Sequence, residues 1–205
     1  VNQMAADRAL RAGATTAKIL DLIKDLRRDT QIPLVLFTYL NPVYTYGFER
    51  FHTDAAAAGA AGLLILDLPP DEASQNRELI ERSGLRHIRL IAPTTPEERI
   101  DLIAKQSEGF IYYVSREGVT GAQTQLSGSI GSMVGLIKSH TETPVAVGFG
   151  ISTPDQASAV AGMADGVVVG SAIVKLIEQH GASPDLCEQL TAFVKPLTDA
   201  VKSVR

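Results

Sequence analysis

The sequence predicts an α/β protein: one TIM (β/α)8 barrel domain over residues 1–205, with six of the eight βα units present, corresponding to strands 3 to 8 of the barrel. Three observations carry this. Short apolar runs alternate with helical stretches six times over. The runs are continuous rather than alternating, as in parallel strands buried on both faces. The loops rich in polar residues and glycine follow several different runs, at Tyr39, Asp67, Arg116, Gly148 and Gly170, which is how barrel sites are built. An open doubly wound sheet would gather them at one switch point, behind a glycine-rich turn after the first strand, and the sequence has no such turn. Six units do not close an eight-stranded barrel, so two further strands are expected upstream of Val1.

The elements follow in order. The chain opens in a helical pattern at Met4, Ala5, Ala9 and Leu10. Ile19, Leu20, Leu22, Ile23 and Leu26 share one face of a helix over 17–26, with Thr15 or Thr16 as N-cap. Pro33 to Phe37 is too short for a helix and reads as a buried strand. An Asn41-Pro42 breaker precedes an alanine-rich helix over 48–58, ended by Gly59, and then a strand over 62–66. The same grammar repeats. Helix 71–83 with Gly84 leads to strand 87–91, and a Pro96-started helix leads to strand 110–114. Helix 130–139 leads to strand 144–148, and a Thr153-capped helix leads to strand 165–169. Helices over 172–179 and 184–201 close the chain.

With 45% hydrophobic and 20% charged residues the chain can bury a sizeable core. Nineteen basic residues against 23 acidic ones, a formal charge of −4 and no basic stripe exclude nucleic acid as an expected partner. Cys187 is the single cysteine and cannot form an internal disulfide. No apolar run approaches the roughly 18 residues of a membrane span. A soluble protein of a reducing compartment, the cytoplasm, is expected.

The strongest chemical signal is a tandem pair of glycine loops, Gly148-Phe149-Gly150-Ile151-Ser152 and Gly170-Ser171-Ala172. In phosphate-binding barrels the loops after the last two strands cradle the anion through backbone N–H groups and a helix N-terminus. Glycine allows the close approach. Ser171 would open the following helix and add its hydroxyl beside the positive dipole end. The plainer alternative is a pair of tight strand-to-helix turns. The run Ser115 to Ala122, with a small polar stretch over 123–132 behind it, is long for a βα connection and has the glycines of a lid; it could equally be an untidy surface loop. Gly121 could add a backbone donor to the phosphate.

Phe37, Tyr39, Leu64 and Tyr112 stand in or just beyond different strands and could converge on an aromatic-lined pocket, or simply fill core. Asp67, an acid ending an apolar strand, could hold a polar ligand group or tie down its loop. His52, His87, His140 and His180 are scattered, without metal-site spacing, and predict surface or structural roles. No nucleophile elbow, Walker loop or pair of carboxylates at strand ends is present.

The strings Tyr39-Leu40-Asn41-Pro42, Asp67-Leu68-Pro69, Ser115 to Ala122, Gly148 to Ser152 and Gly170 to Val174, in this order, closely resemble the tryptophan synthase alpha subunit family along the whole chain. The resemblance implies a lyase of tryptophan biosynthesis that cleaves indole-3-glycerol phosphate to indole and glyceraldehyde 3-phosphate in a retro-aldol reaction. The catalytic glutamate and aspartate of the family are expected upstream of Val1. The resemblance assigns Gly121, Gly150, Gly170 and Ser171 to the phosphate cradle, and Phe37, Tyr39, Leu64, Tyr112 and Phe149 to the indole pocket or its edge. It makes Arg116 the arginine at the lid's base and Thr120 a lid threonine supporting the catalytic aspartate. No metal or cofactor is implied for this subunit. A pyridoxal-phosphate-dependent beta subunit is the implied partner, in an alpha-beta-beta-alpha heterotetramer, meeting the face after Asn41-Pro42. Two rivals remain: another phosphate-barrel enzyme, which would need a catalytic lysine or acid pair at strand ends, and a non-catalytic phosphate-binding or regulatory barrel partner.

Overall fold

The computed structural model describes residues 1–69, 72, 76–115, 123–148 and 150–204, apart from the side chains of residues 77 and 123–128. Helices α1 (Asn2–Arg11) and α2 (Thr16–Asp29) come first. They are followed by β1 (Val35–Thr38), α3 (Leu40–Tyr46), α4 (Phe48–Ala58), β2 (Gly62–Ile65) and α5 (Arg77–Ser83). Next are β3 (Arg86–His87), β4 (Arg89–Ile91), α6 (Glu97–Gln106), β5 (Ile111–Val114) and α7 (Gln123–His140). The chain ends with β6 (Val145–Gly148), α8 (Pro154–Ala161), β7 (Gly166–Val168), α9 (Ser171–His180) and α10 (Leu186–Lys202).

Every ladder is parallel and the strands are ordered as they occur in the sequence, β1-β2-β3 and β4-β5-β6-β7. Strands β3 and β4 are halves of one predicted strand, interrupted at Ile88. The Ile88 N–H still donates to the Leu63 carbonyl at 3.0 Å, and the Glu108 N–H donates to the His87 carbonyl at 2.9 Å, so the wall continues across the break. A parallel sheet whose order never reverses is wound in one direction, the signature of a barrel wall rather than of a doubly wound sheet.

Side chains alternate between two faces of this wall. Leu63 and Ile65 point outward to a layer with Leu20 and Ile23 of α2 and Phe51, Ala55 and Ala58 of α4. Ile91, Ile111, Tyr113, Val145 and Val147 point outward to α6, α7, α8 and Leu197 of α10. The residues between them, Leu64, Ile88 and Tyr112, form a separate inner cluster with Leu66, Leu90, Phe110, Val114 and Val168. Burial on both faces explains the continuous apolar runs.

The predicted caps are in place. The Thr15 hydroxyl accepts from the Lys18 N–H at 3.3 Å, and Thr153 forms a reciprocal capping box with Gln156. Gly59 and Gly84 end their helices in the left-handed conformation. Four expectations need correcting. The 33–37 run is not buried throughout: Val35 and Phe37 are 38% and 58% exposed, because among the described residues β1 has one strand beside it, β2. Asn41-Pro42 does not break the chain but sits in the first turn of α3, where a missing N–H costs nothing. Helix α7 begins at Gln123, so the polar stretch after the lid motif is helical. On α2, Leu20 and Ile23 are buried while Ile19, Leu22 and Leu26 are exposed, since α2 packs on α4 through the side that carries Leu20 and Ile23. Of the expected helix over 71–83, α5 covers Arg77–Ser83, while residues 71 and 73–75 lie outside the described residues. No helix among the described residues is long and apolar enough to cross a membrane.

Candidate active site

The C-terminal ends of the strands open onto the inner cluster. Tyr112 projects from the middle of β5 into that space and is 9% exposed. Phe37 meets it from β1 in an edge-to-face contact, with ring centroids 6.0 Å apart and planes at 88°. Leu64, paired in register with Phe37 on the neighbouring strand, is buried beside them. The described members of this cluster are apolar except for one group, the Tyr112 hydroxyl. Burial pushes the Tyr112 phenol above its ordinary value, so the ring presents a neutral O–H. Such a chamber suits a flat aromatic ligand with one polar edge.

Gly148, read in the sequence only as the start of the first glycine loop, also shapes the chamber. A Cβ at this position would lie 2.7 Å from the Tyr112 hydroxyl and 2.8 Å from Val168 Cβ. The glycine thus makes room for the tyrosine. A glycine ending an otherwise apolar strand was the sequence signal for it.

Beyond β6 and β7 the two glycine loops run into helices. Gly150 has φ +73°, a conformation that favours glycine. Ile151, 3% exposed, pins the loop into the outer core. The Gln156 side-chain oxygen accepts from the Ser152 and Thr153 N–H groups at 2.8 and 3.2 Å, which fixes the path into α8. Gly170 is the N-cap of the ten-residue α9, and Ser171 is its first residue. A Cβ at Gly170 would meet nothing within 4 Å, so its surroundings are open on that side. The first N–H groups of α9 have no helical acceptors of their own and the helix dipole is positive there, so this end of the chamber suits an anion.

Asp67 resolves one of the alternatives left by the sequence. Its Oδ1 accepts from the Leu40 N–H at 2.6 Å, so the carboxylate at the end of β2 secures the start of α3.

A sequence profile of the family described as tryptophan synthase alpha chain matches residues 1–202. The chain is 49% identical over 199 residues to the tryptophan synthase alpha chain of Geobacter sulfurreducens, covering 97% of this chain and 75% of that one. It is 50% identical over 202 residues to that of Geotalea uraniireducens, covering 98% and 75%. The chain belongs to the tryptophan synthase alpha chain family. The solved alpha chain of Legionella pneumophila superposes with a TM-score of 0.86 at 32% identity, over 97% of this chain and 74% of that one. A Pyrococcus furiosus chain, from a structure of the tryptophan synthase a2b2 complex, superposes with a TM-score of 0.87 at 36% identity, over 96% and 79%. The architecture is the TIM barrel of these alpha chains, and the resemblance seen in the sequence is correct at the level of family, fold and lyase activity.

Of the predicted site residues in this alpha chain, the fold brings Phe37, Leu64 and Tyr112 together on the inner face and sets Gly150, Gly170 and Ser171 at the ends of β6 and β7. Tyr39 stands one residue beyond β1 as the N-cap of α3 and is 61% exposed, with no ring contact among the described residues. Arg116, Thr120, Gly121 and Phe149 lie outside the described residues. The structure adds Leu66, Leu90, Phe110, Val114 and Val168 to the lining. They passed unnoticed because apolar strand residues look alike until the pleat separates inner from outer. Of the histidines read as scattered, His52 and His87 are buried against each other.

Proposed function

We propose that this alpha chain binds indole-3-glycerol phosphate with the indole ring in the inner chamber and the phosphate at the loops after β6 and β7, and cleaves it to indole and glyceraldehyde 3-phosphate. The observation that carries the reading is the placement of an apolar, aromatic-edged chamber beside an open glycine-capped helix N-terminus, in a chain of this family. Phe37, Leu64 and Tyr112, with Phe149 and Tyr39 at the edge, hold the ring; Gly121, Gly150, Gly170 and Ser171 hold the phosphate. Thr120 and Arg116 belong to the lid.

In the retro-aldol step, indole C3 accepts a proton and the adjacent glycerol hydroxyl gives one up. The bond between C3 and the glycerol carbon breaks, its electron pair returns to the ring, and the aldehyde leaves. Anchoring the substrate at both ends positions these atoms. Acid–base help of this kind is worth about 10²–10⁴-fold. The inner cluster's described residues supply binding but no carboxylate, and the proposal assigns the proton transfers to a glutamate and an aspartate, as the family resemblance implies. No metal or cofactor is needed in this subunit.

The proposed partner is a beta subunit carrying pyridoxal phosphate, docked on the face of α3, where Tyr44 is 55% exposed and leans on Phe48 at 5.7 Å. The proposed compartment is the cytoplasm, which would keep Cys187 reduced. The test is indole release from indole-3-glycerol phosphate, by residues 1–205 alone and by the same residues fused behind the first two strands of the Geobacter sulfurreducens alpha chain. The expected result is no release from the former and turnover by the latter. A folded fusion that binds neither substrate nor beta subunit overturns the proposal.

A further inference from the structure

Behind the barrel wall, away from the chamber, two histidines meet across the interface between α4 and the sheet. His52 of α4 and His87 of β3 are 1% and 2% exposed, with parallel rings, an interplanar angle of 1° and centroids 5.2 Å apart. Phe48 flanks His52 with its centroid at 4.5 Å, and Phe51 meets it edge-on at 6.1 Å. The His52 Nδ1–H donates to the Phe48 carbonyl at 2.7 Å, which leaves the basic lone pair of the neutral ring on Nε2. Among the described residues that atom is buried without a hydrogen-bond partner, and so is Nε2 of His87. Two bare imidazole nitrogens in an apolar layer are tolerable while neutral; adding a proton to either buries a charge with nothing to receive it.

The surrounding charges do not relieve this. Arg89 follows two residues after His87 and repels a proton there. Glu108 stands on the other side, but its carboxylate accepts from the His87 backbone N–H at 3.4 Å rather than from the ring. Glu49 of α4 and Arg82 of α5 are exposed, of opposite sign, and line the crevice beside His52. This crevice, of about 210 Å³, has Thr53, Leu79 and Ser83 on its walls and His52 at its edge.

We propose that the His52–His87 pair is an acid-labile latch: neutral, it holds α4 and α5 against the sheet, and protonated, it releases them. Burial, with Arg89 and His52 adding to it, lowers the His87 pKa to about 3, and burial lowers that of His52 against the opposing Phe48 hydrogen bond. Both folded-state values lie below the unfolded value, so the unfolded chain binds more protons in acid. The stability the pair contributes is complete above about pH 6.5 and is lost as the pH falls from there toward the folded pKa of His87.

The test is urea unfolding of the full chain at about pH 7.5 and about pH 5.5, set against a His52→Phe, His87→Leu double variant. Each histidine silent in the fold and free in the unfolded chain costs about tenfold in the unfolding equilibrium over that range. The wild type is therefore expected to lose at least tenfold more than the variant. Equal losses overturn the latch. Should the variant fail to fold, the imidazole C–H resonances of the wild type decide. His52 and His87 ionising below the ordinary histidine range, with α4 and α5 amide exchange rising in acid as they do, is expected. Titration of both in the ordinary histidine range overturns the proposal.

Discussion

Replacing Gly148 by alanine tests the chamber most directly. The added methyl would sit 2.7 Å from the Tyr112 hydroxyl, 2.9 Å from Tyr112 Cε2 and 2.8 Å from Val168 Cβ, whereas ordinary contact begins at 3.4 Å. Neighbours must therefore retreat by about 0.5–0.7 Å. Val168 Cβ moves only with the β7 backbone, which is hydrogen-bonded to β6. The tyrosine yields instead, off its edge-to-face contact with Phe37 and into the space proposed for the indole ring. Overpacking of this kind costs about 1–3 kcal/mol. At roughly 2–4 °C per kcal/mol for a domain of this size, Tm falls by about 2–12 °C. Indole affinity is expected to fall at least tenfold, equivalent to about 1.4 kcal/mol. The chain contains no tryptophan, so the fluorescence of indole itself reports binding against a dark background. A Gly148→Ala protein that melts with the wild type and binds indole equally well would refute the claim that this glycine shapes the chamber.

Gly170→Ala is the complementary change: with nothing within 4 Å of the new methyl and φ at −127°, Tm should move by no more than about 1–2 °C. Inorganic phosphate should nevertheless bind more weakly if the backbone there approaches the anion, as isothermal titration would reveal. Asp67→Ala removes the acceptor of the Leu40 N–H and should cost about 0.5–2 kcal/mol in chemical denaturation, with Asp67→Asn recovering much of it. In an alkaline spectrophotometric titration two named tyrosines should ionise late. These are Tyr112, held up by burial, and Tyr46, held up first by its hydrogen bond to Asp54, and Tyr112→Phe should remove one of them.

The strand and helix grammar was legible because its signals are local. Thr15 and Thr153 cap the helices that follow them, Gly59 and Gly84 end theirs, and apolar runs mark strands buried on both sides. What escaped depends on tertiary context. Gln123 to Ser132 is poor in strong helix formers, and it is helical as the leading part of an element whose later turns, at Ile130, Val134 and Ile137, are locked into the core. The interruption at Ile88 and the stacking of His87 on His52 are matters of register between distant segments, which composition does not encode. In the candidate site the glycine loops and the strand position of Tyr112 were readable from residue type and spacing, while the choice between pocket wall and core filler for Tyr112 was left open by the residues themselves. The fixing of α3 by Asp67 was not decidable, since a strand-end carboxylate serves a ligand or a loop equally well until its partner is known.

The unbroken strand order has a consequence for how the molecule is made. Every pairing joins strands adjacent in the sequence, β1–β2, β2–β3, β4–β5, β5–β6 and β6–β7, so the wall can grow strand by strand as the chain leaves the ribosome, one βα unit docking on the last. At every pause in that sequence the newest strand exposes one parallel edge. The danger at that moment is capture by another nascent chain, and the sooner the following unit arrives, the smaller that danger becomes.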